Sequence, residues 1–359
     1  MSISILPDDV LLEIFDFYLD NPLEEEFLRK DLDAWQLLVH VCRRWRSVVF
    51  GSPRRLNLEI VCSPGTPARD TLDVWPALPL CVEDSYGPDL IEGFDNILAA
   101  LERRDRVHEI NLISIPSSHL EKVLDALREP FPKLTDLALW CEGTQRVIPH
   151  DLFGGPAPPR LGGLELCGIS FLGLPRFLSS ATHLHTLILV KTSDFVRISP
   201  DEMVASLSMM TGLISLRLKF KSFWPDRTIR PPPTRTVFPA LTYFWFEGAS
   251  KYLENLVARI DAPQLKKLSI TFFSQITSDT PQFIQFVSRT RALKPLEKAR
   301  VIFLEGLQPS GPVQEDPGKF VAARQLSGHP IAVSPGKENR GCPCRSRTLN
   351  WTGNLNTRL

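Results

Sequence analysis

No apolar run in the 359 residues approaches the roughly 20 needed to span a bilayer, and the N-terminus lacks the basic start and apolar stretch of a signal peptide. The expected setting is the cytoplasm or nucleus, with no membrane partner. An excess of one charge is also missing. The 41 acidic residues are matched by 41 basic ones, so nothing in the balance points to a nucleic-acid partner. The seven cysteines, at 42, 62, 81, 141, 167, 342 and 344, are odd in number and scattered, which excludes a disulfide framework in a chain without an export signal. Cys342 and Cys344 are the one close pair, and with no second pair and no nearby histidine they lack the usual ligands of zinc.

Catalytic signatures are absent too: there is no Gly-rich phosphate loop, no Gly-x-Ser-x-Gly elbow and no His-Glu-x-x-His. His183 and His185 share a strand face by their spacing, but no third ligand accompanies them. The sequence therefore leads us to expect no catalytic residue, no metal and no cofactor. The residues present, 43% hydrophobic and 23% charged, have the composition of an ordinary globular chain long enough for one large or two modest domains. Proline, glycine, serine and arginine dominate from Leu307 onward, so 307–359 is expected to be a disordered tail.

The first fifty residues read as helices. Leu6-Pro7-Asp8-Asp9 combines a first-turn proline with acids at the positive helix end, and Val10, Leu11, Ile14, Phe15 and Tyr18 recur at helical spacing, which predicts a helix from Pro7 to about Tyr18. Asp20, Asn21 and Pro22 stop it, and a charged stretch from Glu24 to Asp33 comes next. A second pattern places Trp35, Leu38, Val39 and Cys42 on one side, followed by Trp45, Val48, Val49 and Phe50. So few helices cannot bury two tryptophans and this many aliphatics among themselves, so some apolar surface must face a partner, either the rest of the chain or another protein.

Leu6-Pro7-x-Asp9-Val10-Leu11-Leu12-x-Ile14-Phe15 and Leu38-Val39-x-Val41-Cys42-Arg43-x-Trp45-Arg46 together resemble an F-box, with a longer charged loop between the halves than its commonest pattern. The resemblance implies binding to the Skp-type adaptor of a cullin-RING ubiquitin ligase. Carried over position by position, it assigns Leu6, Pro7, Val10, Leu11, Ile14, Phe15, Val39, Val41, Cys42 and Trp45 to the adaptor-binding motif. The helices are expected to share little core with the rest of the chain.

Beyond them, Leu-x-x-Leu-x-Leu returns with conservative replacements, starting at Val107, Leu134, Leu161, Leu184, Leu213, Leu241 and Leu265. The intervals of 27, 27, 23, 29, 28 and 24 residues lie within or close to the leucine-rich-repeat period of about 20 to 29. Helical patterns fill the intervals, clearest at 96–104, 117–128, 200–210, 251–259 and 281–289. Ser117 and Ser118 before Glu121 resemble a capping box, and Ser199-Pro200-Asp201-Glu202 puts a cap, a first-turn proline and two acids in order. Leu296-x-x-Ala299-x-Val301 reads as a final degenerate repeat, and Phe223 to Pro239 as a loop interrupting one repeat.

Since no unit buries its apolar face alone, the expected architecture is α/β: an all-helical F-box at 1–50, a linker and N-terminal cap at 51–106, and a leucine-rich-repeat solenoid with a parallel sheet at 107–306. The arrangement is similar to fungal, basidiomycete-type F-box proteins with divergent repeats, although the asparagine that often follows the third leucine is absent here. That resemblance implies a substrate receptor of an SCF-type ligase whose repeats hold an unknown protein substrate. The alternative is an F-box and repeat scaffold without ligase function. On an alternating strand the neighbours of the leucines line the open sheet face, and among them Trp140, Arg217, Lys219, Tyr243, Trp245 and Lys267 have the makeup of a substrate-binding surface.

Overall fold

The computed structural model describes residues 6–20, 34–84, 93–141, 146–148, 151–192, 198–220, 234–273, 280–293, 299–305, 332–335 and 345–351. The expected charged loop at 24–33, most of the interrupting loop at 223–239 and most of the expected tail lie outside these residues. The chain is a mixed α/β protein that divides into two compact units. The first is Met1–Glu142 with Leu152–Gly154 and Pro158–Arg160, and the second is Gly143–Asp151 with Gly155–Ala157 and Leu161–Leu359.

The first unit opens with α1 (Asp8–Asp20), α2 (Ala34–Val41) and α3 (Arg43–Gly51). Pro7 stands just before α1, and its carbonyl accepts the first helical bond from the Leu11 N–H at 3.1 Å. Then strands and helices alternate: β1 (Ile60–Cys62), α4 (Ala68–Val74), β2 (Leu80–Glu83), α5 (Phe94–Leu101), β3 (Val107–Ile115), α6 (Ser117–Ala126) and β4 (Asp136–Cys141). The four strands pair in parallel in chain order. Each crossover is long enough to carry a helix, which is what parallel pairing requires. The helix α6 begins with Pro116 at its cap position and no side-chain cap, so the capping box expected from Ser117 and Ser118 does not set its start. A proline fixes φ there at no hydrogen-bond cost, which removes the need for one.

The three helices share core with the strands of this unit, contrary to expectation. The Trp35 indole N–H donates to the Glu59 carbonyl at 2.9 Å. Its ring meets Trp75 edge-on at 5.2 Å, and Phe50 meets Trp75 at 6.0 Å. Two tryptophans far apart in sequence thus close one aromatic cluster, a pairing that local periodicity does not encode.

The second unit contains β5 (Arg146–Ile148), β6 (Gly163–Cys167), β7 (Ile169–Phe171), α7 (Leu174–Ser180), β8 (Thr186–Thr192), α8 (Pro200–Leu207), β9 (Ser215–Phe220), β10 (Thr236–Val237), β11 (Tyr243–Gly248), α9 (Ser250–Val257), β12 (Ile260–Asp261), β13 (Lys267–Phe273), α10 (Pro281–Arg289) and β14 (Ala299–Glu305). Its main sheet runs β6, β8, β9, β11, β13, β14, all parallel. Two segments of the expected tail, β15 (Ala332–Pro335) and β16 (Arg345–Trp351), extend this sheet in antiparallel fashion, β16 on β14 and β15 on β16. The pairs β5–β7 and β10–β12 form two small separate sheets.

The register repeats in step with the leucine pattern. Leu164, Leu187, Leu216, Phe244 and Leu268 lie side by side, as do Leu166, Leu189, Leu218, Phe246 and Ile270, with Val301 next in line. In four repeats of this unit the first leucine precedes its strand in a tight turn, and its amide donates to the carbonyl three residues back: Leu184 to Ala181, Leu213 to Met210, Leu241 to Phe238, Leu265 to Ala262. All four are fully buried, each contributing about 1.5–3 kcal/mol of apolar burial as an upper bound.

Neighbouring helices are tied by charge as well as by packing. The Arg259 side chain, only 2% exposed, bonds both Asp201 carboxylate oxygens at the start of α8 and the Asn255 carbonyl at 2.6 Å. The expected box at Ser199 is present in full: its hydroxyl accepts from the Glu202 N–H at 3.1 Å, and the Glu202 carboxylate accepts from the Ser199 N–H at 2.9 Å.

Candidate functional site

Two surfaces stand out, one in each unit. In the first, the ten residues of the N-terminal motif divide between core and surface. Leu11, Phe15 and Val39 are fully buried, so these three hold the helices together and cannot face a partner, which corrects their assignment to adaptor contact. Trp45 is half-buried with its ring 4.8 Å from Phe15, and Leu6 is half-buried. Pro7 and Cys42 are exposed, as are Val10 (39%), Ile14 (40%) and Val41 (58%).

Val10 and Ile14 lie one turn apart on α1, and Leu37, 64% exposed, lies one turn before Val41 on α2. The sequence pattern missed Leu37 because the stripe through Trp35, Leu38 and Val39 already accounted for a core face. The available signal was that α2 is apolar nearly all round, more than one buried stripe can use.

Polar contacts fix this arrangement. The Cys42 sulfur accepts the Trp45 N–H at 3.5 Å, so the cysteine caps α3. Arg44 reaches back to the Asp8 carboxylate at 2.6 Å and to the Leu6 carbonyl, tying α3 to the start of α1. Arg55 pairs with Glu13 and with Asp16 at 3.1 Å, and these partners raise its already high pKa.

Further along this unit, His108 on β3 sits between the Glu59 carboxylate at 3.0 Å and the Leu80 carbonyl at 2.9 Å. The hydrogen bond to Glu59 holds its pKa above the usual histidine value. Next to it Glu109 is pushed up by burial first and then by the charge of Asp136, its partner in register. Burial likewise raises the Cys81 thiol, which makes it a poor nucleophile. On β4, Trp140 is half-buried as the neighbour of Leu139, and among the described residues its indole N–H is enclosed without an acceptor.

In the second unit the strand register lines up the open face in rows. One row is Gly163, Thr186, Ser215, Tyr243 and Lys267; the next is Glu165, Ile188, Arg217, Trp245 and Ser269; the third is Cys167, Val190, Lys219, Glu247 and Thr271. Most of these side chains are half-buried.

The structure brings Arg217 and Trp245 together, with the guanidinium 5.4 Å from the indole ring, within cation–π range. Lys219 is instead engaged by Glu247 at 3.2 Å, with the two side chains 14% and 13% exposed, so its charge is already balanced. Tyr243 is half-buried and Lys267 exposed in the neighbouring row. Among the described residues the Arg217 Nε–H is enclosed with no acceptor.

Among the described residues no group of three or more His, Cys, Asp or Glu is placed to hold a metal ion, and no helix is long and apolar enough to cross a membrane. No protein-family model matches the sequence, and no curated protein matches it.

Proposed function

We propose that this chain is the substrate-recognition subunit of an SCF-type cullin-RING ubiquitin ligase, in which α1–α3 form an F-box that docks a Skp-type adaptor and the sheet face of a leucine-rich-repeat domain captures a protein substrate. The observation that carries the reading is the apolar surface left open on the N-terminal helices. Val10, Ile14, Leu37 and Val41 stand exposed, as does Pro7, although neighbouring positions of the same helices are fully buried. A helical pair that leaves apolar residues at i and i+4 in water is suited to a partner that covers them. The same helices carry the Leu-Pro opening and the Cys-Arg-x-Trp close, and the leucines that recur in register support the repeat half of the reading.

The test is a pull-down of the full chain with purified Skp-type adaptor. Wild type is expected to bind, while Pro7→Asp and Leu37→Asp lose binding by about 100-fold or more, as hot-spot positions do, without change in thermal stability. Both side chains are exposed, so neither change disturbs the core. Absence of binding by wild type would overturn the ligase role and favour a scaffold; undiminished binding by both variants would move the interface elsewhere.

A further inference from the structure

We propose that Arg217, laid against Trp245 on the open sheet face, is the recognition point for a carboxylate side chain, so that the captured protein presents an aspartate or glutamate there. This rests on the sheet face being the capture surface. The geometry begins with what Arg217 lacks: among the described residues it makes no ion pair and no hydrogen bond, and its Nε–H is enclosed without an acceptor.

The acids nearest to it are engaged or too far. Glu247 is bound to Lys219 at 3.2 Å. Glu165 lies in the Arg217 row two strands away, roughly 10 Å at the usual strand spacing. The guanidinium lies 5.4 Å from the Trp245 ring, and with Nε–H enclosed, its two terminal Nη groups are the donors that a planar bidentate acceptor would meet. Ile188 and Trp245 flank it in the same row and provide apolar contact for the stem of an incoming side chain.

The charge count favours a carboxylate over a phosphate. Arg217 is the single cation of its row and Lys219 in the next row is balanced by Glu247, so one charge is offered and matches a carboxylate, whereas a phosphomonoester brings between about −1.5 and −2 at neutral pH. The partner in view is therefore an acidic protein segment that needs no modification to be recognised.

The experiment measures anisotropy of labelled decapeptide pools on the full chain. The pools consist of Gly, Ala, Ser and Leu with one fixed central residue: Glu, Gln or phosphoserine. The Glu pool is expected to bind about 10- to 100-fold more tightly than the Gln pool, the range of a hydrogen bond to a charged group. Arg217→Gln is expected to reduce the Glu pool to the level of the Gln pool, with an unchanged thermal transition confirming the fold. Arg217→Lys, which keeps the charge and loses the fork, should fall between them.

Equal binding of the Glu and Gln pools, a Glu preference that survives Arg217→Gln, or a phosphoserine pool that outbinds the Glu pool would each overturn the proposal. Adaptor binding is scored separately on the same preparations. An acid preference without adaptor binding removes the ligase reading and leaves this inference standing; adaptor binding without an acid preference does the reverse.

Discussion

At the scale of single residues, His108, bonded to Glu59, makes stability depend on pH in a definite direction. The hydrogen bond to Glu59 raises the folded pKa of His108 above its ordinary 6.5, so the protonated imidazole is the form the fold prefers. Its stabilisation is complete below the unfolded value and fades as pH rises through the folded one. Glu109 works in the same sense but lower. Burial raises it above 4.5, so the fold prefers its neutral form, and ionisation begins to cost stability as pH climbs past that point. Urea midpoints measured from pH 6 to 8.5 should therefore decline for wild type, and Glu59→Gln should flatten the decline by removing the carboxylate that favours the imidazolium. A slope unchanged by that substitution would show that His108 owes its shift to something else.

At the scale of elements, how a helix is started decides how much of it could be read beforehand. The α8 start was legible because Ser199, Pro200 and Glu202 are close in sequence and the capping box closes within four residues. The α6 start was misread from similar letters, since Pro116 already sets the geometry. The α10 start was invisible as a mechanism: Thr280 gives no side-chain cap, and the acceptors for the Gln282 and Phe283 N–H groups are the two carboxylate oxygens of Glu254 on α9, both at 2.9 Å.

Twenty-eight residues separate the first of these pairs, and no local pattern announces a cap supplied by the neighbouring helix. Glu254→Ala is expected to cost about 1–2 kcal/mol, in line with loss of an N-cap bonded to a carboxylate. Hydrogen exchange should quicken first at the amides of Gln282 and Phe283; unaltered exchange there would mean that α10 does not depend on this cap.

The sheet was far more legible, because Leu-x-x-Leu-x-Leu fixes both the strand and its offset. Arg217 and Trp245 occupy the same offset in adjoining repeats, so their proximity was implicit in the alignment. The pairing of Lys219 with Glu247 was implicit in the same way, one offset further on, and it changes Lys219 from a candidate contact into a balanced charge. The two small sheets were not legible, since strands of two or three residues carry no period to detect.

For the whole molecule, the question is whether the N-terminal helices stand alone. Their sequence suggested a boundary near residue 50, but the aromatic cluster spans it: Trp35 is buried against Trp75 and bonded to the Glu59 carbonyl, and Phe50 closes on the same indole. Trp35→Ala should therefore cost the full chain about 3–5 kcal/mol, the usual range for deleting a buried aromatic. A fragment ending at Arg55 lacks both Glu59 and Trp75, and three short helices have too little interior of their own to offset the loss. We expect that fragment to show no cooperative thermal transition by circular dichroism, whereas the full chain melts cooperatively with the helices included. A cooperative melt of the fragment would show the helices to be an independent domain; its absence means that the exposed apolar surface on α1 and α2 is built on the first strands of the sheet, so changes at Trp75 should weaken the proposed adaptor binding without touching the surface itself.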